Sequence, residues 1–229
     1  MRLRERTDDA YLRFFAPVAN QGPSGLADPP RPFVLRSEHL NGKTFASGDD
    51  FQFDLHLFDL RFRWAEILQE SLQEISAGGL QSVAAESIQL SLAAERSSVD
   101  QLRVRFLTPT ELKAGGTLAK TPEFAILAAR VRDRLSTLSQ VYGEGPLALD
   151  FAGFGERAAK VVMTRCDIHP VEADRRSGRT GQMHSLGGFV GEAHYAGELA
   201  EFLPFLQVAQ WTGVGRQTTW GKGAIAVEA

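Results

Sequence analysis

The order of strand-like and helix-like patterns in the second half of the sequence constrains the fold more than any other feature. Four segments have the apolar alternation of β-strands: RVRFL (103–107), AKVVMTRCDI (159–168), HSLGGFVGEAHY (184–195) and TTWGKGAIAVE (218–228). Apolar residues recur at helical spacing over 121–143 and 198–211. The resulting order, β-α-β-β-α-β, is that of the ferredoxin-like fold.

Local signals place the ends of these elements. Thr121 suits the N-cap of the first helix, with Pro122 at its first position. In the second helix Pro204 suits an early turn, so we expect the regular part to begin near Phe202. Three glycines in the third strand segment predict a bulge or a close backbone approach, at positions 187, 188 and 191.

The first half has a shorter version of the same pattern. PFVLR (32–36) and FQFDLHLFDL (51–60) predict strands, residues 64–75 have helical spacing, and SIQLSLAAE (87–95) predicts another strand. The order β-β-α-β is that of a ferredoxin-like half without its opening β-α unit. We therefore predict an α+β protein with an irregular segment at 1–32, a partial half at 33–100 and a ferredoxin-like half at 101–229.

A half without its opening strand would leave open sheet edges. Three explanations fit the sequence equally. The start of the gene is misplaced, the arginine-rich N-terminus takes the place of the missing strand, or a partner supplies it.

Composition excludes several classes of protein. With 43% hydrophobic and 23% charged residues, the chain has a globular composition. Its formal net charge of -3 excludes a polycationic surface, so an anion site must be a local patch. The single cysteine, Cys166, excludes an internal disulfide and favours a reducing compartment. Since no bilayer-spanning run or secretory signal is present, we expect a cytoplasmic protein with no membrane partner.

The segment QWTGVGRQTTWGKGA (210–224) is a candidate anion-binding loop between the last helix and the last strand. Its glycines let backbone N–H groups approach an anion, and arginine, lysine and threonine side chains add charge and donors. The candidate residues are Gly213, Gly215, Arg216, Thr218, Thr219, Gly221, Lys222 and Gly223. The spacing and the helix-loop-strand order exclude both a Walker A loop and a Rossmann fingerprint. A glycine-rich turn without a ligand is the alternative.

A second cationic cluster lies in EADRRSGRTGQ (172–182), which we interpret as a polar loop. Arg175, Arg176 and Arg179 fall within five residues and His184 follows them. Such a cluster is suited to clamping phosphates. The alternative is a solvated loop, which is how most runs of charge are used.

The stretch from Arg175 to Val227 resembles the C-terminal part of the CRISPR repeat-RNA-processing endoribonucleases of the RAMP superfamily. The specific features are LGGFVGE (186–192) and the glycine-rich loop with TTWGKG (218–223). RPFVL (31–35), the FQFDLHLF segment and FLTPTELKAGG (106–116) also resemble that family. The resemblance runs in order over most of the chain. It implies two tandem ferredoxin-like halves, in agreement with the element order.

The resemblance implies binding of precursor crRNA repeats and one metal-independent cut in each repeat. A ribose 2′-hydroxyl would attack the adjacent phosphorus and leave a 2′,3′-cyclic phosphate. A histidine commonly acts as the base in these enzymes, and His39 lies closest in sequence to that position. The expected partners are CRISPR repeat RNA and other CRISPR-associated proteins.

The resemblance also implies no cofactor. Cys166 and His169 form a single C-x-x-H pair, whereas structural zinc needs about four ligands. We therefore expect neither a metal nor a cofactor.

The short N-terminus leaves an alternative function open. Relatives have several dozen more residues before the RPFVL segment, in the region that bears or borders the catalytic histidine. The chain is then either an active endoribonuclease or a catalytically inactive or truncated RNA-binding RAMP subunit. A structural subunit that packs along crRNA in an effector complex is a further possibility.

Overall fold

A computed structural model describes most of the 229-residue chain: residues 14–15, 17, 29–59, 84, 86–93, 98–172, 174–176, 183–185 and 187–229. The strands are β1 (Phe33–Arg36), β2 (Asp54–Leu57), β3 (Gln101–Thr110), β4 (Lys113–Ala114), β5 (Thr117–Leu118), β6 (Val162–Val171), β7 (Asp174–Arg176), β8 (Met183–Ser185), β9 (Gly188–Ala196) and β10 (Ile225–Glu228). The α-helices are α1 (Phe124–Tyr142), α2 (Phe151–Ala158) and α3 (Leu203–Thr212). Short 3-10 helices span Glu38–Leu40 and Thr218–Trp220.

The second half is a ferredoxin-like unit. Its sheet has the order β10-β3-β9-β6, and each neighbouring pair is antiparallel. Numbered within this half the order is 4-1-3-2, which places the first and third strands at the centre. The α+β class predicted from the sequence is confirmed, and the sheet order agrees with the β-α-β-β-α-β motif.

The helices cover one face of this sheet. Residues of β3 alternate between buried and exposed, so that Leu102, Val104 and Phe106 enter the core. They join a single apolar cluster with residues from α1, α2 and α3, among them Leu127, Phe154 and Leu206. The opposite face is polar: Arg103 donates to Glu192 at 2.7 Å and to Glu228 at 3.1 Å.

Helix ends agree with the sequence in one case and differ in another. α3 starts at Leu203 with Phe202 as its N-cap, as Pro204 predicted. α1 starts at Phe124 with Glu123 as its N-cap, so the prediction of Thr121 as the cap is wrong. The Thr121 hydroxyl donates to the Glu123 carboxylate at 3.3 Å and does not bond a backbone N–H of the first turn.

Helix α2 is absent from the sequence prediction. Its N-cap Asp150 accepts a hydrogen bond from the Gly153 N–H at 3.0 Å, and Phe154 is fully buried in the core. The helix has only eight residues and contains Gly153 and Gly155. Glycine is a poor helix former, so the signal from propensity and periodicity is weak.

Three strand or loop predictions are corrected. The segment 218–228 forms a strand only from Ile225, because Gln217 adopts a left-handed conformation and starts a 3-10 turn. The polar segment 172–182 is not all loop, since 174–176 pairs with 183–185. Residues 86–93 form no strand although they alternate, and the Ile88 and Leu90 side chains are exposed.

The first half is described in part. β1 and β2 form an antiparallel two-stranded sheet with Phe33 opposite Leu57 and Arg36 opposite Asp54. β2 covers only part of the predicted strand 51–60, because residues 51–53 precede the ladder. The predicted helix at 64–75 and the opening of the chain lie outside the described residues.

The carbonyl end of α3 joins the two halves. Arg36 on β1 donates to the Gln210 carbonyl at 2.7 Å and to the Trp211 carbonyl at 3.4 Å. The His56 Nδ1–H on β2 donates to the same Trp211 carbonyl at 2.9 Å, because a carbonyl oxygen can only accept. Arg134 on α1 donates from Nε to the Thr212 carbonyl at 2.8 Å. Cations at this end also compensate the negative pole of the helix dipole.

We predict that Arg36→Ala destabilises the protein by about 2 to 3 kcal/mol, because it removes a buried side chain and the charged donor to the Gln210 carbonyl, while His56 still bonds Trp211. Arg36 is 5% exposed. The matched control is Arg105→Ala, whose side chain is 47% exposed and lies 4.0 Å from Glu228. That change should cost less than about 1 kcal/mol. Urea unfolding of both variants measures the difference, and equal losses would contradict the role given to Arg36.

Candidate functional site

The glycine-rich loop is bonded to the rest of the domain along its length. After α3, the Val214 N–H donates to the Gly223 carbonyl at 2.9 Å and closes the loop on itself. The Gly223 N–H donates to the Pro109 carbonyl at 3.2 Å, and the Arg216 N–H donates to the Glu111 carbonyl at 3.2 Å. The loop is therefore held against the end of β3, and these three amides are engaged within the protein.

Two of the glycines are required by close backbone approach. Gly223 has φ +68°, and a Cβ at this position would lie 1.9 Å from the Val214 carbonyl oxygen. Gly215 has φ +85°, and its Cβ would lie 2.3 Å from the Glu111 carbonyl oxygen. The loop therefore uses glycine to pack backbone against backbone, in addition to its use at positive φ.

The two cations of the loop have different surroundings. Lys222 is buried, and its Nζ donates to the Gly187 carbonyl at 2.6 Å and lies 3.8 Å from the Glu111 carboxylate. Burial lowers the Lys222 pKa, while the Glu111 charge partly opposes the shift. Arg216 has a 47% exposed side chain and pairs with the same Glu111 carboxylate at 3.1 Å. Arg216 is thus the loop cation that reaches solvent.

The remaining loop side chains are divided between the interior and the surface. Thr218 and Thr219 are buried in the 3-10 turn. Trp220 is exposed on one side, and the Arg31 guanidinium lies 5.9 Å from its ring centroid. Trp211, at the end of α3, packs against the His56 ring at 5.0 Å between centroids.

His39 lies in the 3-10 helix that follows β1 and is exposed. Its Nε2 lies 2.6 Å from the Gln52 carbonyl oxygen. A carbonyl oxygen can only accept, so Nε2 carries a hydrogen, and in the neutral ring Nδ1 holds the lone pair. His39 can therefore accept a proton at Nδ1 while the Gln52 carbonyl holds the ring in place. This is the arrangement of a general base with an orienting partner.

A cavity of about 400 Å³ lies beside His39. Its other lining residues come from the segment after β1 and from the first residue of β2: Leu40, Lys43, Phe45, Asp50, Phe51, Gln52 and Asp54. The lining therefore combines a possible base, a cation, carboxylates and aromatic rings. Sequence reasoning identified His39 but not the cavity, because residues 40 and 54 are brought together only by the β1-β2 ladder.

β1 connects this cavity to the glycine-rich loop. A Cβ on Gly221 would lie 2.9 Å from the Leu35 carbonyl oxygen, so the loop backs directly onto β1. Leu35 precedes His39 by four residues, a span of at most about 14 Å. The predicted RNA-binding loop and the predicted base thus belong to one region of the surface.

The second cationic cluster forms a ribbon. In the antiparallel pair of β7 and β8, Arg175 lies opposite His184 and Arg176 lies opposite Met183. Arg179 lies outside the described residues. The ribbon precedes Gly187, whose carbonyl accepts the Lys222 hydrogen bond, so the chain path joins it to the loop.

The other histidines have structural or peripheral positions. His56 bonds the end of α3, as described above. His194 lies 3.1 Å from the Glu192 carboxylate on the polar face of the sheet. His169 is exposed on β6, an edge strand of the sheet.

The described residues contain neither a metal-site cluster nor a membrane-spanning helix. No group of three or more His, Cys, Asp or Glu side chains there is arranged to hold a metal ion. None of the described helices has the length and apolar character needed to cross a membrane.

Comparison with known families gives two matches. The family model of the CRISPR-associated endoribonuclease Cas6 matches residues 104–225, which is more than half of the chain. A second family model, AF_1859_N, described as an N-terminal domain, matches residues 3–109. No curated protein matches the chain.

Solved structures share the fold. The product complex of Cas6 (TTHB231), a protein of Thermus thermophilus, is 21% identical, with a TM-score of 0.55 over 87% of this chain and 83% of its own. The product complex of Cas6 (TTHA0078) is 19% identical, with a TM-score of 0.52 over 87% and 85%. Another structure of the first protein covers 58% of this chain, which spans only 55% of its length, at a TM-score of 0.44.

We predict that Gly223→Ala destabilises the protein much more than Gly42→Ala. Both glycines have nearly the same positive φ, +68° and +71°, but nothing lies within 4 Å of a Cβ on Gly42. Left-handed strain alone costs about 1 to 2 kcal/mol at either site. The clash with Val214 adds to this at Gly223, so its midpoint in thermal unfolding should fall further. Equal midpoints would contradict the backbone packing described for the loop.

Proposed function

The chain belongs to the CRISPR-associated endoribonuclease Cas6 family, and from this premise we propose that it binds precursor crRNA repeats and cleaves them without a metal ion. The attacking group is the ribose 2′-hydroxyl, and the products are a 2′,3′-cyclic phosphate and a 5′-hydroxyl. The observation that carries the proposal is the hydrogen bond between His39 Nε2 and the Gln52 carbonyl oxygen beside a cavity, because it leaves Nδ1 to accept a proton.

His39 acts as the general base in this proposal. Removal of the 2′-hydroxyl proton by Nδ1 makes that oxygen a nucleophile toward the adjacent phosphorus; the P–O5′ bond breaks and the leaving 5′-oxygen takes up a proton from water. The exposure of His39 allows an RNA strand to reach it. The Gln52 carbonyl stabilises the imidazolium that forms, since it accepts the Nε2–H in either protonation state.

Lys43 is the candidate cation for the phosphorane. It lines the same cavity as His39, and an ammonium near the equatorial oxygens stabilises the charge that develops in the transition state. Arg36 is close to His39 in sequence, but its guanidinium bonds the end of α3. It is therefore not proposed as a cation for the phosphorane.

The RNA strand is proposed to run from the cavity along the glycine-rich loop to the β7-β8 ribbon. Arg216 offers a guanidinium at the surface of the loop, and the ribbon carries Arg175, Arg176 and His184. Arg179 is assigned to the same contact from its sequence position. Lys222 supports the loop from inside through Gly187. Thr218 and Thr219 are buried in the 3-10 turn, so the proposed contact of the loop with RNA depends on Arg216 and not on these hydroxyl groups.

We predict that His39→Ala abolishes cleavage of labelled repeat RNA in EDTA and leaves binding within about twofold. The matched control is His169→Ala, which removes an exposed histidine from the edge strand β6. A denaturing gel reads the cut, and a mobility shift reads binding. Treatment of the product with acid and phosphatase identifies a cyclic phosphate end.

The outcomes distinguish an active endoribonuclease from a catalytically inactive RNA-binding subunit. Loss of the cut in His39→Ala alone supports the enzyme and its base. Retained cutting in that variant overturns His39 as the base. A shift without any cut by the unaltered chain overturns the endoribonuclease and supports an RNA-binding subunit.

We predict that Arg216→Ala weakens repeat binding and lowers the salt dependence of binding by about one phosphate contact. Arg105→Ala is the control, because Arg105 has the same exposed fraction of 47% and also faces a carboxylate, at Glu228. Binding constants at several salt concentrations measure the slope for each variant. An unchanged slope for Arg216→Ala would remove the loop from the RNA contact.

A further inference from the structure

We propose that the cavity beside His39 is a nucleobase pocket. One unpaired base of the RNA stacks on Phe51 there, and its edge donates hydrogen bonds to carboxylates of the pocket. This inference rests on the proposed function and names the part of the substrate that enters the site. It concerns the segment from Lys43 to Asp54, which connects β1 to β2.

Exposed aromatic rings are the first observation. Phe51 is 50% exposed and Phe45 is 39% exposed, with their ring centroids 5.7 Å apart. The Phe53 ring follows at 6.4 Å from Phe51, with an angle of only 24° between the two planes. Phenylalanines normally enter the core, so a cluster of rings on the surface marks a binding surface.

The size of the cavity is the second observation. The cavity is open to solvent and has a volume of about 400 Å³, which is enough room for a single nucleotide. The rings of Phe45 and Phe51 form part of its lining. A base is flat, and stacking on an aromatic side chain uses its π-face whatever its identity.

The polar lining can bind the two parts of a nucleotide separately. Asp50 and Asp54 place two carboxylates at the cavity, beside the single ammonium of Lys43. Carboxylates accept hydrogen bonds from the exocyclic amino group of a base, and the Lys43 ammonium is left for the neighbouring phosphate. Cytosine, adenine and guanine offer an amino group with two donor hydrogens, whereas uracil offers only its N3–H, so the pocket favours the first three bases over uracil.

The position of Gln52 connects the pocket to the chemistry. Gln52 lies between Phe51 and Phe53 in the chain, and its carbonyl holds the His39 ring at 2.6 Å. A base stacked on Phe51 thus lies next to the segment that orients the proposed general base. Docking of the nucleobase in the pocket would hold the neighbouring ribose near His39 Nδ1. Binding of one nucleotide would thereby align the 2′-hydroxyl for attack.

The test combines Phe51→Ala with a scan of the repeat RNA. A series of repeats carries one abasic site each, moved through the unpaired nucleotides. For the unaltered chain, one position should lose about tenfold in affinity, in cleavage rate or in both, which is the size of a single stacking contact. In Phe51→Ala the intact repeat should show a similar loss, and the abasic site at that position should cost nothing further.

Two controls accompany the scan. Phe51→Tyr keeps an aromatic face and should restore affinity. Phe151→Ala removes an exposed phenylalanine at the start of α2, beside Arg132, and should leave the scan unchanged. Since Phe51 is half exposed, all variants should keep the thermal midpoint of the unaltered chain. Uracil at the docked position should bind more weakly than cytosine in the unaltered chain but equally in a variant with Asp50→Ala and Asp54→Ala.

The outcomes separate this proposal from the proposed function. Suppose that the chain cuts the repeat but the effects of every abasic site add to the effect of Phe51→Ala. The proposed endoribonuclease activity then stands, and the pocket is overturned. A chain that binds without cutting still reports the pocket through affinity. A chain that neither binds nor cuts overturns both, and the exposed rings would then belong to a protein interface.

Discussion

The carbonyl end of α3 is the constraint on which the rest of the structure depends. The carbonyls of Gln210, Trp211 and Thr212 have no partners inside the helix, and they lie in partly buried surroundings where they need donors from elsewhere. Arg36, His56 and Arg134 supply the donors from β1, β2 and α1. One helix end therefore fixes the β1-β2 sheet against the ferredoxin-like half. It also fixes the point from which the glycine-rich loop departs at Gly213.

The candidate site follows from that arrangement. With Arg36 bound to α3, β1 has to pass beneath the loop, where Gly221 lies against the Leu35 carbonyl. The chain then turns into the 3-10 helix of His39, within about 14 Å. On the other side of the loop, the Lys222 side chain bonds the Gly187 carbonyl. Gly187 follows the end of the β7-β8 ribbon at Ser185 by two residues. His39 and the loop are thus positioned by inward-facing side chains that bond backbone carbonyls and by the close approach of Gly221 to β1.

Sequence patterns predict what is encoded locally. The α+β class and the start of α3 depend on periodicity and on Pro204, and both agree with the structure. The close approach predicted in the third strand segment is confirmed at Gly191, where a Cβ would lie 2.2 Å from the Asp167 carbonyl oxygen. The burial of Lys222 could not be predicted, because Glu111 and Gly187 lie 111 and 35 residues away in the chain. The same holds for the Gln52 carbonyl, which has no side-chain signature.

Arg36 and Arg134 place two buried positive charges at the carbonyl end of α3. Burial and the neighbouring Arg36 lower the Arg134 pKa to about 10, which still leaves the guanidinium charged at neutral pH. Arg36 Nη1 and Arg134 Nη2 have no hydrogen-bond partner in the part of the chain that the structure describes. The helix dipole compensates these two charges only in part, since it amounts to about half a charge. The Glu38 carboxylate supplies a further opposing charge near Arg36, so the compensation of this buried cation is shared between the helix dipole and an acidic side chain.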